Sequence, residues 1–155
     1  MAQLHGWLHD VEFWQPGWVK TPREEKIERQ RKMVSGDKWI IDGNYDSTME
    51  IRYSAADLVI FLDISRVVCA VSAMMRTGKK RSDLPAYLEE PNIWGKEFIE
   101  FLKDIWSYPN TGRKTVLSLH DKYPDKAYLH IKTRRAAGKL AKEWKATRQE
   151  RATHT

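Results

Sequence analysis

The stretch Trp39-Ile40-Ile41-Asp42-Gly43-Asn44-Tyr45 decides how the rest of the chain is read. An aromatic residue and two isoleucines make a short apolar run, an acid closes it, and a glycine with a polar neighbour breaks the backbone into a turn. This is the pattern of a strand whose carboxyl end carries an aspartate. In open α/β sheets that edge is where ligands bind. A core strand followed by an ordinary Asx turn has the same pattern.

A second run of the same kind follows at Leu58-Val59-Ile60-Phe61-Leu62-Asp63. It is continuous and apolar, as expected of a strand buried on both faces of a parallel sheet, and it too ends in an acid. Between the two, Ser47 to Tyr53 suits a helix that carries Arg52. Toward the amino end, Thr21-Pro22-Arg23-Glu24 has the order of a capping box and predicts a charged helix to about Val34. Before it, Trp14-Gln15-Pro16-Gly17-Trp18 reads as a loop held by two tryptophans, and Trp7 to Val11 as a short strand ending near Asp10. Met1 to Gly6 suits the last turn of a helix.

Toward the carboxyl end, Ser65 is placed to cap a helix that runs through Val67, Val71 and Met75 to Arg76. Residues 77–92, basic then acidic and broken by Gly78, Pro85 and Pro91, read as a mobile, lid-like excursion. Trp94, Phe98, Phe101, Leu102 and Ile105 then share one helical face. Arg113 to Tyr123 fits a helix, although Thr115 to Leu119 also alternates as a strand would. Ala127 to Ile131 is a strand. Arg134 onward is a basic helix with Ala137, Leu140, Ala141 and Trp144 turned inward. Strands alternating with helices predict a parallel sheet with helices on both faces, in a single domain over 1–155.

Composition sets the outer bounds. A chain of 155 residues with seven Trp, six Tyr and four Phe is long enough and apolar enough to bury a core, which excludes a disordered protein. The one cysteine, Cys69, has apolar sequence neighbours and no intramolecular partner, so a cytoplasmic setting and a buried thiol are expected. No stretch has the length and apolarity of a membrane span, and no membrane partner is expected. The formal charge of +6 is compatible with an anionic partner, either a nucleotide or a nucleic acid.

Three sets of residues taken together carry a resemblance. They are Asp10-Val11-Glu12-Phe13-Trp14-Gln15-Pro16-Gly17-Trp18; Trp39 to Tyr45; and Arg52 with Ala55-Ala56-Asp57 leading into Leu58 to Asp63. With Glu97-Phe98, Ile105-Trp106 and the basic end, the chain resembles the DNA topology modulation proteins. These are P-loop NTPases similar in layout to adenylate kinase and other small nucleotide kinases. The resemblance implies a three-layer α/β P-loop fold with a parallel sheet of about five strands. It further implies ATP and Mg²⁺ as cofactors, and a nucleotide or other small phosphorylated acceptor as partner.

Carried over position by position, Asp42 holds Mg²⁺ through water, Asp10 faces the acceptor, and Asn44 is a substrate-binding residue. Arg52 pairs with an acceptor phosphate, and Arg76 and Arg81 flank the lid and reach the transferring phosphoryl group. The plainer alternatives are a helix-end bond for Arg52 and surface charge for Arg76 and Arg81.

Members of this family open with a strand and a glycine-rich loop, G-x-x-x-x-G-K-[ST], whose amides and lysine hold the phosphates. These 155 residues contain no such loop. Gly78-Lys79-Lys80 has Ala73 where the first glycine belongs, and Gly112-Arg113-Lys114-Thr115 has Ser107 there and follows a helix. The sheet is therefore expected to lack its first strand, whose place is between the strands at Trp39–Asp42 and Leu58–Asp63. Either those two strands close up, or the chain is unstable, or Met1 is a misplaced start in a longer reading frame. Without the loop no turnover of ATP is expected. A reading from another class is a nucleic-acid-binding or regulatory protein acting through the basic helix after Arg134.

Overall fold

In the computed structural model, residues 5–8, 14–15, 19–76 and 95–153 are described. Along the chain the elements are β1 (His5–Leu8), β2 (Trp14–Gln15), β3 (Val19–Lys20), α1 (Arg23–Val34), β4 (Trp39–Asp42), α2 (Asp46–Ala55) and β5 (Leu58–Leu62). They continue as α3 (Arg66–Arg76), α4 (Lys96–Ser107), a 3₁₀ turn (Tyr108–Asn110), α5 (Gly112–Lys122), β6 (Ala127–Ile131) and α6 (Arg134–Thr153). The mixed α/β composition and the alternation agree with the sequence pattern. The lid-like segment and Trp94 lie outside the described residues.

The strands form pairs. β1 runs parallel to β4, from His5 opposite Trp39 to Leu8 opposite Asp42. β5 runs parallel to β6, from Leu58 opposite Ala127 to Leu62 opposite Ile131. β2 and β3 pair antiparallel, where the sequence suggested only a loop, and the strand at the amino end begins at His5 within the segment read as a helix turn. No ladder joins β4 to β5 among the described residues, so these strands do not close up on each other. The α2 helix, 10 residues long, carries the chain back about 15 Å from the end of β4 to the start of β5, the order of a crossover unit.

The core lies on one face of β5. Phe61 is buried with Met49 and Tyr53 of α2 and Val116 and Leu119 of α5, and Val59, Tyr108 and Tyr128 pack against this group. Burial of Val116 and Leu119 resolves the ambiguous 113–123 segment as helix. The opposite face of β5 corrects the expectation of burial on both sides: Leu58 and Ile60 are each 38% exposed and Leu62 is 53% exposed. The physical reason is that a continuous apolar run states an affinity for burial without saying which faces receive a covering layer.

Elsewhere, α1 packs on α2 through a buried polar contact, in which Thr48 Oγ1 donates to Gln30 Oε1 at 3.4 Å. The capping box is not made: Pro22 stands at the N-cap, no side chain caps α1, and Thr21 is buried instead. Arg66 at the start of α3 lies 4.2 Å from the Trp106 ring centroid and holds α4 to α3. On α4, Phe98 is buried as expected, but Phe101 is 42% exposed. On α6, Ala137 and Leu140 are half-buried, whereas Ala141 and Trp144 face solvent, so the inward stripe is one turn shorter than its sequence suggests. Cys69 is half-buried rather than buried, its Sγ 3.7 Å from the Ile64 carbonyl.

Candidate functional site

The carboxyl ends of β4 and β5 are where the chemistry collects. After Asp42 the backbone turns at Gly43 with φ of 133°, a conformation that side chains beyond glycine rarely adopt. That turn aims the Gly43 carbonyl at α2, where Arg52 Nη2 donates to it at 2.9 Å. A longer contact joins Arg52 Nη1 to Thr48 Oγ1 at 3.5 Å. Arg52 is only 9% exposed, and burial pushes its pKa down to about 10, while the nearby carboxylates of Asp46 and Asp42 act in the opposite direction. It stays protonated at neutral pH. Asp46 is itself raised above the usual carboxylate value by burial, partly offset by Arg52.

Asp42 is exposed at the strand end, and no described residue donates a hydrogen bond to its carboxylate. Asn44 follows on the loop and meets the first turn of α5: a Cβ built on Gly112 would lie 3.0 Å from Asn44 Nδ2 and 2.9 Å from Tyr108 Cδ2. Glycine at 112 is therefore what lets the α5 terminus approach this loop. Asp42, Asn44 and Arg52 line one cavity of about 310 Å³ that continues between β4 and β5. Arg76 is the last residue of α3, exposed, and is not among the residues lining that cavity. Asp10 and Arg81 lie outside the described residues.

A second cluster sits at the end of β5. Asp63 receives Arg113 Nε at 3.1 Å and 3.0 Å on its two oxygens, and His130 Nε2 lies 2.8 Å from Oδ2. Burial raises the Asp63 pKa, but the hydrogen bonds of His130 and Arg113 and the Arg113 charge outweigh it, so the group is held below the usual aspartate value. Tyr108 feels both clusters. Burial and the negative fields of Asp46 and Asp63 push it up to about 12, against Arg113. Of these groups Asp63 was legible at its strand end, whereas Arg113, His130 and Tyr108 carried no local signal.

The two acids differ in what they can do. Asp63 is saturated by a cation and an imidazole, and functions as a tie between β5, β6 and α5. Asp42 has free lone pairs at an open edge. A single hard carboxylate fits a Mg²⁺ that arrives with phosphate oxygens, since this ion keeps most of its water and takes few protein ligands. It does not fit a self-contained metal centre, and among the described residues no group of three or more His, Cys, Asp or Glu is placed to make one. A triphosphate fits less well: Arg52 is engaged with the Gly43 carbonyl and Arg113 with Asp63. Among the described residues no helix is long and apolar enough to cross a membrane. No family model, curated protein or solved structure matches the chain.

Proposed function

We propose that this chain is a nucleotide-kinase-like domain of the three-layer P-loop class that binds a magnesium nucleotide at the ends of β4 and β5 and does not, by itself, transfer a phosphoryl group. The observation that carries this reading is the unengaged carboxylate of Asp42 at an open strand end, beside Asn44 and above Arg52. In this reading Asp42 holds Mg²⁺, and the ion supplies charge neutralisation of the phosphates when bound. Asn44 donates to the acceptor, and Arg52 fixes the loop that carries both. The absence of a glycine-rich phosphate loop from the 155 residues supports binding without turnover.

Thermal shift tests it. Mg²⁺ with ATP is expected to raise the melting temperature, and Asp42→Asn to remove the part of the rise that depends on Mg²⁺. With ATP and a nucleoside monophosphate, no phosphoryl transfer is expected. No shift with any nucleotide, or clear turnover, overturns the reading. A second reading, nucleic-acid binding, is favoured by one observation: on α6, a helix rich in Lys and Arg, the Trp144 side chain is 49% exposed. Binding of single-stranded DNA that falls steeply with salt and is lost in Trp144→Ala would select it.

A further inference from the structure

Two groups meet on Asp63, and each keeps polar atoms in reserve. The carboxylate stands at the end of β5, whose parallel pairing with β6 puts it on the edge where α/β sheets bind ligands. Arg113 uses Nε alone on the two Asp63 oxygens, and among the described residues nothing accepts from either of its Nη nitrogens. His130 uses Nε2 alone, and no described residue bonds its Nδ1.

The acid decides which ring nitrogen is which. Asp63, held below the usual aspartate value, is ionised at neutral pH and can only accept, so His130 Nε2 carries the hydrogen. In the neutral ring the lone pair then falls to Nδ1. The ring is also fixed in place: it stacks on Phe61 with centroids 5.1 Å and planes 24° apart, and Tyr128 lies beside it at 6.1 Å. The His130 side chain is 25% exposed and that of Arg113 37%, so a small molecule reaches both. His120 is the contrast within the chain. It stacks on Tyr128, its Nδ1 is buried, and among the described residues no carboxylate bonds its ring.

An oriented imidazole backed by a carboxylate is the arrangement of a nucleophile, because the acid stabilises the positive charge that the ring gains as it attacks. The neighbouring guanidinium narrows the electrophile. Its unused N–H groups form a planar fork that fits the oxygens of a phosphoryl group. We propose that His130 Nδ1 is a phosphoryl-accepting site for small phosphoramidates, with Arg113 holding the phosphoryl oxygens and Asp63 as the positioning residue for the ring. Nδ1 forms a new P–N bond as the donor's P–N bond breaks, and the donor nitrogen, protonated before attack, leaves as ammonia with the electron pair of the broken bond. The phosphorylated ring keeps its hydrogen on Nε2, and its positive charge faces Asp63. One P–N bond replaces another, so the step needs no co-reactant. It modifies the chain once and is independent of nucleotide binding at Asp42.

The test treats the full chain with phosphoramidate at neutral pH and reads the product in alkali, where phosphohistidine survives, by mass spectrometry and phosphorus NMR. Of the five histidines, His130 is expected to label about tenfold faster than any other, and at Nδ1, since a hydrogen bond to a charged group is worth about that factor in rate. Nitrogen NMR of the unlabelled protein should place the ring hydrogen on Nε2. In Asp63→Asn the amide can donate to Nε2 and move that hydrogen to Nδ1, so labelling should fall about tenfold in a protein that still melts cooperatively. Arg113→Lys keeps the charge and loses the fork, and should slow labelling while leaving the ring hydrogen where it is. Labelling of His130 no faster than the other histidines, labelling at Nε2, or an unchanged rate in folded Asp63→Asn overturns the proposal. The first of these is what a purely structural tie would give. If Asp63→Asn does not fold, the wild-type site of labelling and the Arg113→Lys rate decide alone.

Discussion

His130 Nε2 lies 2.8 Å from Oδ2 of Asp63, and this contact ties the end of β5 to its parallel neighbour β6. Asp63 is 15% exposed at its side chain, and Arg113 shares the same carboxylate from the first turn of α5. Since the folded-state pKa of Asp63 is depressed, its stabilising contribution is present above the ordinary aspartate value of about 4 and is lost as pH falls below it, through the depressed value. Asp63→Asn is expected to lower stability at neutral pH by about 1–2 kcal/mol, discounted for the partial exposure of Arg113. It should also flatten the acid limb. Urea unfolding from pH 2.5 to 7 checks both, and an unchanged acid limb in Asp63→Asn would show that the pair contributes nothing.

Gly112 and Tyr108 are packed so closely that the glycine has no room for a methyl group. Gly112→Ala should therefore destabilise by about 1–3 kcal/mol through overpacking. Truncating the ring removes the obstacle, so Gly112→Ala is expected to cost less in a Tyr108→Ala background than alone. A double-mutant cycle measured by chemical unfolding reads the coupling directly. Additive effects would mean that the ring moves aside freely.

Burial pushes both Tyr53 and Tyr108 up to about 12. A tyrosine whose folded pKa is raised contributes stability that is complete below its unfolded value of about 10 and is lost as pH rises from there toward 12. The protein is accordingly expected to lose stability steadily over that window. Ultraviolet titration should show late-ionising phenols, Tyr53 and Tyr108 among them, with one fewer in Tyr108→Phe. Ionisation of all six tyrosines near 10 before unfolding would contradict this.

Tyr128 stacks on His120 with ring centroids 4.1 Å apart, and its hydroxyl is buried with no hydrogen-bond partner among the described residues. Leaving a buried hydroxyl unpaired is unfavourable, while the stacking belongs to the ring. Tyr128→Phe is thus expected to be neutral or to stabilise by up to about 1 kcal/mol. A melting temperature that falls by several degrees would reveal a partner for the hydroxyl.

How much of this was legible in the sequence depends on the range of the interaction. β4, β5, β6 and the helices between them follow from apolar runs and helical spacing, which are local, and Asp42 and Asp63 follow from standing at strand ends. The Asp63 cluster does not, because Arg113 and His130 are 50 and 67 residues away and nothing near either of them marks the partner. Arg52 was legible as a cation on α2, with an acceptor phosphate or a helix end as its expected partner, but not as the donor to Gly43, since that bond depends on the positive φ of the turn just before α2. The exposed face of β5 was illegible for a different reason: Leu58, Ile60 and Leu62 have the same composition whether or not a layer covers them.

Arg52 separates a scaffold role from a ligand role. Its Nη2 is spent on the Gly43 carbonyl, and its side chain is packed below the loop that holds Asp42 and Asn44. If its work is to hold that loop, Arg52→Ala leaves a carbonyl unpaired and a void, and should cost about 2–3 kcal/mol of stability. Arg52→Lys keeps the charge but loses the planar fork, so a smaller loss is expected. Gly43→Ala should be destabilising as well, by about 1–2 kcal/mol, because its φ of 133° strains any side chain. The two should be less than additive if the Arg52 bond depends on that turn. If Arg52 instead binds an acceptor phosphate, Arg52→Lys would keep its stability and lose the melting-temperature rise with a nucleoside monophosphate. Unfolding free energies of the wild type, the three single variants and the Gly43→Ala/Arg52→Ala double variant, measured with and without the monophosphate, separate the two roles.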